Sequence, residues 1–418
     1  MNKSISFGEF GSSVSSYRNY LLLFVIWPFM AFLTSLSNYR QKEARKIVYL
    51  FLIYYGLTFV IAQTGMDSYQ YVRRFEYNAT LPFSDFFKIV GGLYATDTSV
   101  DILEPFISFV VSRFTSDYRF LFAAYAALFG FFYLKSINLL YNRYQEKPGW
   151  NSLIFMVFFI VVIPITSINA PRMWIAAWIF FYGAYHVILN RDARYFLLTF
   201  GACFMHWSFI LVNIVLVIYF FVGNRNYIYF PIVLLSFIFP SGLIPFFNWA
   251  SGNSGAALQL RYSGYSSEDY NLAVMEDLQQ TRWFINFSND IIFYYLLIAL
   301  IIIYFTHKDL MNSKPEKNLF SFLLLLLAFV NFGAPFPDFA RFKIIFLLFA
   351  TLYVFLYLLK LPGEKINLFT TIGLFPMALY AAIQFRVGSD VINSWIFMPG
   401  FGIPWVFPGI SLADFLFN

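Results

Sequence analysis

Runs of roughly 17–25 apolar residues recur along the whole chain, and each is long enough to cross a lipid bilayer as a helix. That recurrence leaves little choice of fold. In lipid, backbone N–H and C=O groups must be satisfied internally, so the options are a helical bundle or a closed barrel. The alternating polarity of barrel strands is absent, which points to an all-α, polytopic integral membrane protein forming one membrane domain over residues 1–418. Only 12% of residues are charged, about half of what a soluble domain carries. The excess of +6 formal charges sits in loops, not in a patch that would bind nucleic acid. The single cysteine, Cys203, excludes an internal disulfide, and three widely spaced histidines argue against a metal site. No cleavable signal is expected, since the first apolar run ends in Ser37-Asn38-Tyr39-Arg40 and not in a small-residue cleavage site. Aromatics reach 23%, mostly as lipid-facing side chains, with a smaller share available to stack on sugars.

Taken in order, the runs predict about twelve crossings. The first spans Tyr20–Leu36, with the N-terminus outside, and is followed by a basic loop (Arg40, Lys42, Arg45, Lys46) that the positive-inside rule assigns to the cytoplasm. The second covers Ile47–Gln63. Residues 64–116 are too polar to span and are expected to hold interfacial helices at Phe83–Val90 and Pro105–Phe114. Tyr118–Ile137, Trp150–Ile168 and Arg172–Leu189 follow. Tyr195–Val222, long for one crossing and short for two, is expected to be a pair of half-length crossings broken near His206. Ile228–Phe247 leads to a polar loop over 248–288 that is long enough to close over a cavity as a lid, and four further crossings end at Phe385.

The charges divide unequally across this topology. Nine of the twelve lysines fall in inside loops, as topology selection requires, but ten of the sixteen arginines fall outside. Binding a fork-matched oxyanion accounts for such an arginine excess. Arg172 follows Pro171, which suits the first helical position, so its guanidinium sits where a helix N-terminus already favours anions. Arg341 opens a late span in the same way. If the two helices pack together they form a basic cradle at membrane level; the plainer alternative is an interfacial anchor, or a local carboxylate partner such as Asp338 for Arg341. His206, in His206-Trp207-Ser208, is either an interhelical hydrogen-bonding residue or a general base, with Asp67 the rival base or a helix cap. His186 and His307 read as topology residues. Tyr69, Tyr71 and Tyr262 either stack on sugar rings or belong to the interfacial aromatic belt.

Three pieces carry a resemblance to a known family: Gly65-Met66-Asp67-Ser68-Tyr69-Gln70-Tyr71 followed by Glu104-Pro105-Phe106; Asn169–Arg172 followed some thirty residues later by His206-Trp207-Ser208; and Arg341 heading a late span. Over roughly residues 47–350 the chain resembles the bacterial O-antigen and exopolysaccharide polymerases of the Wzy/EpsG type, with Met173 where the family often has glutamine and Trp207 between the histidine and the serine. The resemblance implies a metal-independent and cofactor-free glycosyltransferase of GT-C-like architecture in the bacterial inner membrane, with its site facing the periplasm. It would move a growing glycan from undecaprenyl diphosphate onto a repeat unit carried by a second undecaprenyl diphosphate. A chain-length regulator protein is a further implied partner. Arg172 and Arg341, with Arg282 or Arg261, would hold the departing diphosphate, and His206 or Asp67 would take the hydroxyl proton. An O-antigen ligase has similar needs; a flippase would be expected to show inverted repeats, which this sequence lacks.

Overall fold

The computed structural model describes residues 17–61, 67–85, 101–242, 244–245, 249, 283–336, 339–361 and 366–417. Apart from one bridged pair, Asn393 and Ser411, the regular structure of these residues is helical. Seven helices among them are long and apolar enough to cross a membrane. Most of the expected helix over Phe83–Val90, most of the 248–288 loop, and Arg261, Tyr262, Arg282 and Asp338 lie outside the described residues.

The expected first crossing is instead a hairpin. Helices α1 (Tyr17–Ile26) and α2 (Pro28–Ser37) are each ten residues long, or about 15 Å, half the hydrocarbon thickness. They are separated at Trp27, whose extended backbone precedes a proline that cannot continue the helix. Both arms lie along α3 (Lys42–Leu57). Phe24 packs on Tyr54 (5.9 Å between ring centroids) and Phe32 stacks on Phe51 (4.3 Å). The Lys46 ammonium lies 5.1 Å from the Tyr17 ring centroid, so α1 begins at the end where α2 finishes. Tyr17 therefore shares an end of the molecule with the basic loop, and the expectation of a crossing there is corrected. The break exposes backbone carbonyls that lipid would leave unpaired. The chain's own C-terminal segment covers them: Gly400 N–H donates to the Ile26 carbonyl (2.7 Å) and Phe401 N–H to that of Val25 (3.2 Å).

From α3 the chain reaches a pair of short helices, α4 (Asp67–Thr80) and α5 (Leu103–Ser112), tied together by Asn78 donating to Ser108 Oγ (3.1 Å). The long α6 (Tyr118–Glu146) then runs back against α3. Gly56 makes this approach close: a Cβ there would run into the Phe122 carbonyl oxygen. Helix α7 (Trp150–Val162) continues through a 3-10 turn to Asn169, and α8 (Pro171–Leu189) returns. Trp178, wholly buried in α8, meets Phe129, Tyr133, Phe159 and Phe181 and marks the centre of the bundle.

The expected break near His206 is present. Helices α9 (Phe196–Met205) and α10 (Phe209–Val222) form a second hairpin with His206-Trp207-Ser208 at its tip. The buried Asn213 clasps the arms by donating to the Thr199 carbonyl (2.8 Å), and Phe196 meets Phe220 near the open end (5.1 Å). Helices α11 (Asn226–Ile238) and α13 (Lys314–Phe332) run side by side, joined by Ser321 to Asn226 (2.6 Å) and Asn331 to Ser236 (3.2 Å), the kind of interhelical bond that serves as glue in lipid. Between them in sequence lies α12 (Trp283–Thr306). Helix α14 (Ala340–Leu358) is enclosed by the others, with Ile345–Ala350 fully buried, and α15 (Leu368–Ser389) completes the bundle.

The two hairpins each return to the end they leave, and their arms are shorter than the seven candidate spans found among the described residues. The remaining helices alternate between two ends. Lys42, Lys147, Lys314 and Lys360 gather at one of them, where Lys360 pairs with Glu316 (2.7 Å). The other carries α4, α5 and the functional constellation.

Candidate functional site

Helices α8 and α14 run parallel: Phe181, nine residues past Arg172, meets Phe349, eight past Arg341, at 4.8 Å. Arg172 and Arg341 are each the second residue of their helix, so both arginines open at the same level and at the same end. The expected packing of the two arginine-bearing helices is therefore present. Their guanidinium groups nevertheless have different surroundings.

Arg341 lines a cavity of about 620 Å³ at that end of the bundle. The wall is built mainly from helix ends. Asp67 is the first residue of α4, Asn169 and Trp174 flank the start of α8, Asn289 comes from the first turns of α12, and Gln384, Arg386 and Asp390 from the end of α15. Arg386 pairs with Asp390 at 2.8 Å. The starts of α4, α8 and α14 bring the positive ends of helix dipoles to the cavity, to which Arg341 and Arg386 add full charges. Asp67 is exposed, its carboxylate at a helix start where a negative charge is favoured.

Arg172 does not line this cavity, although Asn169, Ala170 and Trp174 do. Its Nη1 donates to Asp101 Oδ2 (2.7 Å) and its Nε to the Tyr71 hydroxyl (2.7 Å). Asp101 is fully buried. Its second oxygen, Oδ1, accepts from the backbone N–H of Trp207 (2.8 Å), and the next residue, Ile102, donates its N–H to the Phe204 carbonyl (3.0 Å). A buried carboxylate needs such a set of charged and neutral donors, because isolating it from water is costly. Glu104, one turn along, is 1% exposed, accepts from Tyr125 Oη (2.9 Å) and lies 3.6 Å from Arg74. Arg74 in turn lies over the Tyr71 ring, 4.8 Å from its centroid. Burial pushes the Tyr71 phenol up to about 12 against the pull of the Arg172 guanidinium, so the phenol keeps its proton and accepts from Arg172 as a neutral group.

Several expectations are revised by these contacts. Arg172, expected either to hold a diphosphate or to serve as an anchor or pair with a carboxylate, is engaged by Asp101 and Tyr71. Tyr71, expected on a sugar-stacking surface, is only 2% exposed because its ring packs under Arg74 and its hydroxyl meets Arg172. Tyr69, half-buried, keeps an accessible edge. His206 is not among the residues lining the cavity; its Nδ1 is 3.1 Å from Ser208 Oγ. The hairpin tip nonetheless abuts both arginine-bearing helix starts, through Asp101 to Arg172 and through Phe209 against Phe342 (6.2 Å between ring centroids), the neighbour of Arg341. Nothing in the sequence by itself singles out Asp101, Tyr125, Arg74, Arg386 or Asp390 as site residues. An arginine in the first turn of a membrane helix calls for a carboxylate partner, and that rule alone would have pointed to the acidic group around Asp101.

No curated protein and no solved structure matches the chain. The pattern that defines the EpsG family matches residues 47–397, an interval that holds most of α3, both arginine-bearing helices, the His206 hairpin and the whole described wall of the cavity, and the chain belongs to that family.

Proposed function

We propose that this protein is a polysaccharide polymerase that transfers a growing glycan from undecaprenyl diphosphate onto an undecaprenyl-diphosphate-linked repeat unit at the periplasmic face of a bacterial inner membrane. Membership of the EpsG family supports a polymerase of this type. The observation that carries the finer reading is the cavity in which Arg341 and Arg386 stand with Asp67 among converging helix ends. A hydroxyl of the acceptor's terminal sugar attacks the donor's anomeric carbon. The new bond is O–C1, the C1–O bond to the diphosphate breaks, and the lipid diphosphate departs with the electron pair. Arg341 and Arg386 meet the charge that develops on it, where preorganised cations contribute most.

Asp67 takes the hydroxyl proton in this reading. Its place in the cavity wall favours it over His206, which is not among the lining residues. The lysine-rich end belongs to the cytoplasm by the positive-inside rule, which sets the cavity on the opposite side, where lipid-linked repeat units await extension. The GT-C-like assignment is part of the same proposal. Purified protein given one synthetic lipid-linked repeat unit should make a ladder of products. A product only on added lipid A core would mean a ligase, and transport across vesicles without a ladder would mean a flippase.

A further inference from the structure

We propose that Asp101 is a positioning residue that locks the His206 hairpin to the start of the Arg172 helix, and that Arg172 acts through this lock and not as a ligand of the substrate. The catalytic half of the proposal rests on the transfer reading above. The geometric half does not.

The two oxygens of Asp101 have separate tasks. Oδ2 receives Arg172 Nη1 at 2.7 Å and Oδ1 receives the Trp207 N–H at 2.8 Å. The first is the second residue of a membrane-crossing helix; the second belongs to the tip of the His206 hairpin. A wholly buried carboxylate that receives the tip's N–H fixes where that tip sits, because neither group can trade the bond for water. Asp101 is wholly buried, and its neighbour Ile102 adds a backbone bond to Phe204 at 3.0 Å, so the segment leading into α5 serves as a clamp across the tip. Arg172 neutralises the clamp's charge, and Tyr71, 2.7 Å from its Nε, fixes the guanidinium plane. The far side of the tip rests on the Arg341 helix through Phe209 and Phe342. Loosening Asp101 would let the tip shift against that helix start, which carries a cavity cation.

The test is hydrogen–deuterium exchange of the full-length protein in detergent, read on peptides covering residues 204–208, alongside the elongation assay. Asp101→Ala and Arg172→Ala should each speed exchange at the tip by about tenfold or more, the scale of a lost charge-assisted hydrogen bond. The double variant should exchange no faster than the quicker single one, because both changes open the same clamp. Elongation should lose kcat in each, with KM close to that of the unaltered protein. Exchange in α6 and α14 shows whether a variant has unfolded. If the alanine variants unfold, Asp101→Asn, which keeps the volume and an acceptor for Trp207 while removing the charge, should still speed tip exchange. Native exchange at the tip in Asp101→Asn or Asp101→Ala, independent and multiplying effects in the double variant, or a loss in Arg172→Ala confined to KM would overturn the proposal. An unaltered protein that makes no ladder would sink the polymerase reading and leave the exchange result standing.

Discussion

An arginine at a helix start in a membrane can line a cavity or sit in a buried ion pair, and this chain has an example of each placement. Arg341 lines the cavity; Arg172 is 2.7 Å from a buried carboxylate. The partner of Arg172 comes from a distant segment, Asp101, which the spacing of the apolar runs does not announce. This division sets what single substitutions should do. Asp67→Asn should lower elongation by about 10²–10⁴-fold, the usual contribution of a positioned base, with the protein still present in the membrane. His206→Ala should lower it less, and near-normal ladders from Asp67→Asn would reverse the two roles. Arg386→Ala and Arg341→Ala should each cost about 10²-fold or more in kcat/KM, as removal of a donor from a charge-stabilising site does. Isothermal titration with a soluble lipid-diphosphate analogue should show weakened binding for both.

At the scale of the element, two helical hairpins set this fold apart from a plain row of crossings. Each has a tip whose backbone is satisfied by a segment from elsewhere in the chain: the C-terminal segment at Val25 and Ile26, and the Asp101 segment at Trp207. The His206 hairpin was legible because the run from Tyr195 to Val222 is too long for one crossing and its polar tip interrupts the apolar residues. The first was not. The run from Tyr20 to Leu36 looks like an ordinary span, and Pro28 by itself signals a kink as readily as a reversal; the folding back rests on α3 and the tail packing around it. Asn213→Leu should loosen the clasp across the second hairpin and lower stability by about 1 kcal/mol, near the upper range of interhelical hydrogen bonds in lipid, read as thermal unfolding in mild detergent. Gly56→Ala should cost about 1–3 kcal/mol, because the added carbon meets the backbone of α6 and forces the helices apart.

Across the whole molecule, the alternation of crossings brings the starts of the Arg172 and Arg341 helices to one end and gathers Lys42, Lys147, Lys314 and Lys360 at the other. Chemical labelling can check that arrangement. With Cys203 replaced by alanine, a cysteine at Tyr77 should react with an impermeant maleimide in intact cells, and a cysteine at Lys147 should react only after the membrane is opened. A cysteine at Tyr17 should behave like the one at Lys147, because the first hairpin returns to the lysine-rich end. Reactivity of position 17 in intact cells would restore a full crossing over Tyr20–Leu36 and remove that hairpin.

The amino-acid sequence determined by itself that the chain is a helical membrane bundle, that His206 stands at a break, and that Arg172 and Arg341 open helices. Those properties follow from run length, proline placement and the expense of polar groups in lipid, all of which are local. Only the tertiary structure decided which arginine faces the cavity, that Asp67 and Arg386 share it, and that the first apolar run doubles back. Each of those depends on the company a residue keeps after segments tens to hundreds of positions apart have packed, and no local pattern encodes it.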